Sequence, residues 1–121
     1  VPDTATPTIT STPPDLTPPP SPEPSVPADG LSLSCRGNQS LVWLPVTDPS
    51  GISEYNVEFQ RRSSENDKWS TAPGSPIGTA EHNIQIAVQC GWYYRWRVRA
   101  QDGAGNMSEW SSWSYFDVSL N

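Results

Sequence analysis

Residues 88–106 read "VQCGWYYRWRVRAQDGAGN". Within them Tyr94, Trp96, Val98 and Ala100 alternate with Arg95, Arg97 and Arg99. A period of two is the side-chain repeat of a β-strand, which puts the apolar set on one face and the arginines on the other. The loop that follows, "QDGAGNMS", carries two glycines and an asparagine, residues that turn a chain. The stretch is therefore a strand with one buried and one solvated face, entered and left by turns.

The same pattern recurs on both sides. Leu31 and Leu33 alternate with serines, and Leu41 and Trp43 with Val42 and Leu44. Tyr55, Val57 and Phe59 alternate with Glu54, Asn56, Glu58 and Gln60. Ile84, Ile86 and Val88 follow, then Phe116, Val118 and Leu120. No stretch sustains a helical period. Strands are expected over about 31–35, 40–46, 53–62, 67–71, 82–88, 93–101 and 111–120. About seven short strands, each with one apolar face, predict an all-β fold of two antiparallel sheets packed as a sandwich.

Composition divides the chain. Residues 1–30 hold ten of the fourteen prolines, four acids, no base and no aromatic residue. Such a segment buries too little apolar surface to offset its ordering entropy, so residues 1–29 read as a disordered Pro/Thr/Ser-rich extended linker. Residues 30–121 hold all six Trp, all four Tyr and both Cys, enough for one small core. With four of the thirteen acids in the linker, this part has nine acids against seven bases. That balance lacks the basic surplus of a nucleic-acid partner. No apolar run is long enough to cross a membrane as a helix.

At these residues the chain resembles a fibronectin type III domain. Trp43, Tyr55-x-Val57 and the quoted stretch are similar to that family in order and spacing. The family pattern sets an apolar residue before a turn glycine and a tyrosine three residues after it, here Val88, Gly91 and Tyr94. Tyr94 would be the corner tyrosine, with its hydroxyl on nearby backbone. The resemblance implies a core of Trp43, Tyr55, Val57, Tyr94, Trp96, Val98 and Phe116. It also brings Cys35, at the end of the first strand, to the turn holding Cys90, where the family usually has proline. A disulfide between them becomes plausible, at about 4 kcal/mol in the chain-entropy model. It implies an oxidising compartment. "TDPSGISEYNVEFQ" and "AQDGAGNMSEWS" look most like bacterial surface members.

Enzyme signatures are absent. His82 is the one imidazole and has no nucleophile in a recognisable turn. Asp48, Asp102 and Asn106 could approach one another at one pole, the nearest thing to a calcium site, but no paired-carboxylate or calcium-loop spacing is present. No metal or cofactor is assigned. Asn38-Gln39-Ser40 and Asn106-Met107-Ser108 are glycosylation sequons.

The concentrated feature is "EWSSWSYF" at 109–116. If Phe116 and Val118 face inward, Trp113 and Tyr115 face outward. Antiparallel pairing would set Arg97 by Trp113, Arg95 by Tyr115 and Trp110 near Arg99. Guanidinium groups stacked on these rings would form a ladder, with Glu54 and Glu58 as counter-charges. The stretch also resembles the Trp-Ser-x-Trp-Ser box of haematopoietic cytokine receptors, where such a ladder is mostly structural. A binding role for the same aromatics is the competing reading.

The expected function is a non-catalytic extracellular or cell-surface module that spaces, presents or docks a larger protein, as a monomer, through an unknown protein or polysaccharide. Three alternatives are an accessory module of a secreted carbohydrate-active enzyme, the sensor end of a membrane signalling protein such as a kinase, and a cytokine-receptor-like ligand module.

Overall fold

Alternating patterns of this kind bury each apolar face once when two sheets stack. A computed structural model, which describes residues 14–121, has that arrangement. Its strands are β1 (Glu23–Val26), β2 (Leu31–Leu33), β3 (Asn38–Leu44), β4 (Ile52–Arg62), β5 (Ser70–Thr71), β6 (Ile77–Thr79), β7 (Asn83–Ala87), β8 (Tyr93–Asp102) and β9 (Ser114–Val118). One sheet has the order β1-β3-β7. The other runs β2-β9-β8-β4-β5, with β6 also on β4.

The expected sandwich is the observed one, with differences in detail. Nine strands replace about seven, because β1 and β6 lie in segments read as linker and loop. All pairs are antiparallel except β2 with β9, which is parallel, with Leu31 beside Phe116 and Leu33 beside Val118. The strand expected over 111–120 is shorter, at Ser114–Val118.

The core lies between the sheets. Leu41 and Trp43 from β3 meet Tyr55, Val57 and Phe59 from β4, Tyr94, Trp96 and Val98 from β8, and Phe116 from β9, all buried. Trp43 sits edge-on to Tyr55 at 5.5 Å and tilted against Trp96 at 6.1 Å, while Tyr94 stacks on Phe116 at 5.2 Å. The Tyr94 hydroxyl accepts the Gln89 N–H at 2.9 Å. That bond ties β8 to the turn at Gly91, whose φ of +90° is a conformation glycine adopts without strain. The indole N–H groups of Trp43 and Trp96 are buried without an acceptor among the described residues.

Cys35 and Cys90 are joined, with Cα atoms 4.9 Å apart across a separation of 55 residues. The bridge links the segment after β2 to the turn before β8.

The linker assignment over 1–29 needs correction for its described part, residues 14–29. Glu23, Pro24 and Val26 pair with Leu44, Trp43 and Val42 of β3. Pro19, Pro22 and Pro27 are buried. Pro19 and Pro22 are three apart, the repeat that puts one face of a polyproline II segment against a surface. Composition marks this stretch as extended, but extended chain can also serve as an edge strand when a partner is at hand. Residues 1–13 of the expected linker lie outside the described residues. A chain begun at residue 30 should lose about 2 kcal/mol, or roughly 10 °C in thermal midpoint, because β1 and three packed prolines go with the deletion. An unchanged melting curve would show that β1 adds nothing to the sandwich.

Candidate functional site: an arginine–tryptophan ladder on β8

Strand β8 carries Arg95, Arg97 and Arg99 on its outer face, each half-buried between the buried residues of the inner face. Their guanidinium groups are interleaved with indoles. Trp113 lies 4.2 Å from Arg95 and 4.6 Å from Arg97, and Trp110 lies 4.5 Å from both Arg97 and Arg99. Each tryptophan thus sits between two arginines rather than opposite one. Tyr115 is the register partner of Arg95, but its ring leans on Trp69 at 5.9 Å.

The stack continues beyond the residues that sequence marks. Trp69 takes both Arg95, at 4.8 Å, and Arg62, at 4.3 Å. The whole run is Arg62, Trp69, Arg95, Trp113, Arg97, Trp110, Arg99. The β4–β5 hairpin makes the extension: Gln60 pairs with Thr71 and Arg61 with Ser70, so the next step outward sets Arg62 beside Trp69. The hairpin register is the signal that could have found them.

Charge is offset laterally, by residues of β4 opposite each arginine. Arg97 forms an ion pair with Glu58 at 2.7 Å through Nη2, and its Nε donates to the same oxygen at 2.9 Å. Arg95 Nε donates to Gln60 Oε1 at 2.7 Å and Arg99 Nε to Asn56 Oδ1 at 3.1 Å. Glu54, expected as a counter-charge, instead accepts a hydrogen bond from Asn56 Nδ2 at 2.6 Å. An amide dipole therefore stands where a second carboxylate was expected. Each guanidinium–indole contact contributes about 0.5–2 kcal/mol, the more so where water is excluded.

The serines explain how 108–113 stays on β8 without being a strand. Ser108 N–H donates to the Ala100 carbonyl oxygen at 2.8 Å, and the Ala100 N–H donates to Ser108 Oγ at 2.9 Å. Three residues on, Ser111 N–H donates to the Val98 carbonyl oxygen at 2.9 Å, and the Val98 N–H donates to Ser111 Oγ at 3.0 Å. A hydroxyl does the work of a backbone carbonyl at both steps. Ser114, three further on, pairs with Trp96 as β9 begins. A period of three, as in polyproline II, sends Ser108, Ser111 and Ser114 to the strand and Trp110 and Trp113 to the arginines. A period of two could not place both tryptophans on one face.

At one pole Asp15, Asp48 and Asp102 bring carboxylate oxygens within 4.8 Å of one another. Asp102 is buried and accepts N–H bonds from Ala104 at 3.0 Å, from Asn106 backbone at 2.7 Å and from Asn106 Nδ2 at 2.9 Å. Asp15, from the expected linker, accepts the Ser50 hydroxyl at 2.7 Å and the Thr17 N–H at 2.9 Å. Those bonds hold its carboxyl below the ordinary aspartate value of 3.8. Asp48 is held above that value by partial desolvation and by the neighbouring Asp15 and Asp102. The approach of Asp48, Asp102 and Asn106 is thus present, with Asp15 added, as a hydrogen-bonded cluster.

No family model matches the sequence, and no curated protein matches it. Solved structures are similar in fold. The twitchin kinase region from C. elegans, which includes a fibronectin type III domain, aligns at TM-score 0.61 and 16% identity over 87% of this chain and 17% of that one. The fibronectin(III)-like modules of Clostridium thermocellum CbhA align at TM-score 0.54 and 16% identity over 83% of this chain and 97% of the module. The Streptomyces avermitilis α-L-rhamnosidase aligns at TM-score 0.51 and 20% identity over 85% of this chain and 10% of the enzyme. The chain has the fibronectin type III fold, and it spans a small part of the first and third of these proteins.

Ser111→Ala strands the Val98 N–H and should cost about 1–3 kcal/mol in urea unfolding, whereas Ser112→Ala, at an exposed position, should cost nothing measurable. Equal effects would remove the hydroxyl-for-carbonyl account. For the acids, Asp48 binds its proton more tightly folded than unfolded, so its contribution to stability is present at low pH and lost as pH rises through its folded pKa. Asp15 has the opposite sign: its contribution is present above 3.8 and lost as pH falls. Asp48→Asn should therefore stabilise the domain near neutrality and do less well below 3.8, read by unfolding at the two pH values.

Proposed function

We propose that this chain is a non-catalytic, extracellular β-sandwich module that spaces or presents a larger protein. The observation that carries the reading is that its most conspicuous residues are spent internally. Trp69, Trp110 and Trp113 each contact two guanidinium groups of the same chain, which suits holding the last segment down. The Cys35–Cys90 bridge supports an oxidising, extracellular setting. The Pro/Thr-rich composition of residues 1–13 supports a stalk. Domains of this fold form short parts of longer chains such as the twitchin kinase region and the rhamnosidase, which supports a modular role. The bacterial origin suggested by the loops and the cytokine-receptor-like box remain resemblances of sequence within this proposal.

Exchange of residues 14–121 for an unrelated sandwich of equal length, within the parent protein, tests the role. A spacer exchange should leave the parent's surface display and activity in place. Loss of either with the fold intact would assign the domain a specific partner instead.

A further inference from the structure

A cavity of about 190 Å³ opens on the outer face of the larger sheet, at the Arg62 end of the ladder. Arg62, Tyr93 and Asp117 form a row across β4, β8 and β9. Tyr115 stands on the same face of β9, and Glu65 and Trp69 overhang from the segment joining β4 to β5. Gly30 adds no side chain at the rim, and a Cβ placed there would meet open space. The Trp69 and Tyr115 rings meet at an interplanar angle of 57°, giving a corner with two aromatic walls.

The chemistry of the lining selects among ligands. A cation at Trp69 would meet Arg62 and Arg95, whose guanidinium carbons already stand 4.3 and 4.8 Å from the ring centre, as like charges. An anion meets the carboxylates of Glu65 and Asp117. A neutral ligand with an apolar face and several hydroxyls meets neither objection. Tyr115 is 40% exposed and offers a ring for such a face. Carboxylates accept hydroxyl hydrogens, and a guanidinium donates to hydroxyl oxygens. Asp117 Oδ1 is oriented by the Ser32 hydroxyl at 2.8 Å, and Glu65 makes no hydrogen bond among the described residues. Apart from Nη1, which reaches the Asp67 carbonyl oxygen at 3.4 Å, the Arg62 guanidinium has no hydrogen-bond acceptor among the described residues. The volume is below the range of roughly 300–1,000 Å³ that holds a drug-sized molecule, so one ring fits and a long chain does not.

The geometry points to a binding site for a single neutral pyranose, free or at the end of a glycan, held between Tyr115 and the polar groups of Arg62, Glu65 and Asp117. Trp69, held by contacts to two guanidiniums, gives the site an aromatic edge that needs no ordering when a ligand arrives. The site goes beyond the spacing role and stands or falls apart from it.

Amide NMR titration of the full chain with glucose, galactose, mannose, rhamnose and N-acetylglucosamine tests it. At least one sugar should give saturable shifts centred on Gly30, Glu65, Trp69, Tyr115 and Asp117, with half-saturation on the order of 1 mM. Tyr115→Ala should weaken binding by about tenfold or more. Glu65→Ala, on an exposed segment outside the core, should also weaken binding, and it keeps the test valid if the tyrosine variant fails to fold. Trp110→Ala, at the far end of the ladder, should leave binding in place. The proposal is overturned if no sugar gives saturable shifts at about 100 mM, if both pocket variants bind as well as the parent, or if tetramethylammonium or phosphate titrates these residues while the sugars do not. A negative result leaves the exchange experiment for the spacing role unaffected.

Discussion

Three guanidinium groups on alternate positions of one strand repel one another, and the alternation of β8 leaves no other place for them. Tyr94, Trp96, Val98 and Ala100 must face the core, so Arg95, Arg97 and Arg99 must face out. The remainder of the larger sheet is arranged around that constraint. Indoles separate the charges along the strand, and β4 supplies one carboxylate and two amide oxygens across it. The core and the ladder are thus two faces of one alternating pattern, and a change of register in β8 would dismantle both.

Period matters as much as composition. Trp110 and Trp113 are three residues apart, so on a regular strand they would point to opposite faces. Residues 108–113 advance by three instead, which puts both rings on one face while the serines keep the chain on β8. Such a segment forgoes backbone pairing at two residues in three. Serine is suited to the third, since its N–H and Oγ together present one donor and one acceptor to the strand.

The fold was legible because its strongest signal is local: period-two alternation in β4 and β8 needs no knowledge of neighbours. Burial of Trp43, Tyr94 and Trp96 could be read from their own strands. What escaped depends on distant pairing. Glu23–Val26 has a linker's composition and becomes a strand only because β3 presents an open edge. Arg62 and Trp69 join the ladder through the hairpin register of Gln60 with Thr71, which no periodicity encodes. Asp15 reaches Ser50 and Asn106 from far along the chain, so its place in the acidic cluster was invisible. Trp110 and Trp113 each contact two of the three β8 arginines, an interleaving that follows from the three-residue step and not from strand pairing.

The one parallel pair in the structure has a mechanical meaning. A load drawn through the domain from the β1 side to the β9 side first meets β1, whose antiparallel bonds to β3 can open one at a time from the end. It then meets β2 and β9, parallel strands pulled from opposite ends, whose bonds must stretch together. The contact is prolonged by Ser119 N–H to the Leu33 carbonyl oxygen at 2.8 Å and Cys35 N–H to the Asn121 carbonyl oxygen at 2.9 Å. Beyond it stands a covalent stop, the bridge from Cys35 to Cys90. The order of elements from the outside inward is a peeling strand, a shearing pair and a covalent bond, a graded resistance to tension built from strand topology and one disulfide.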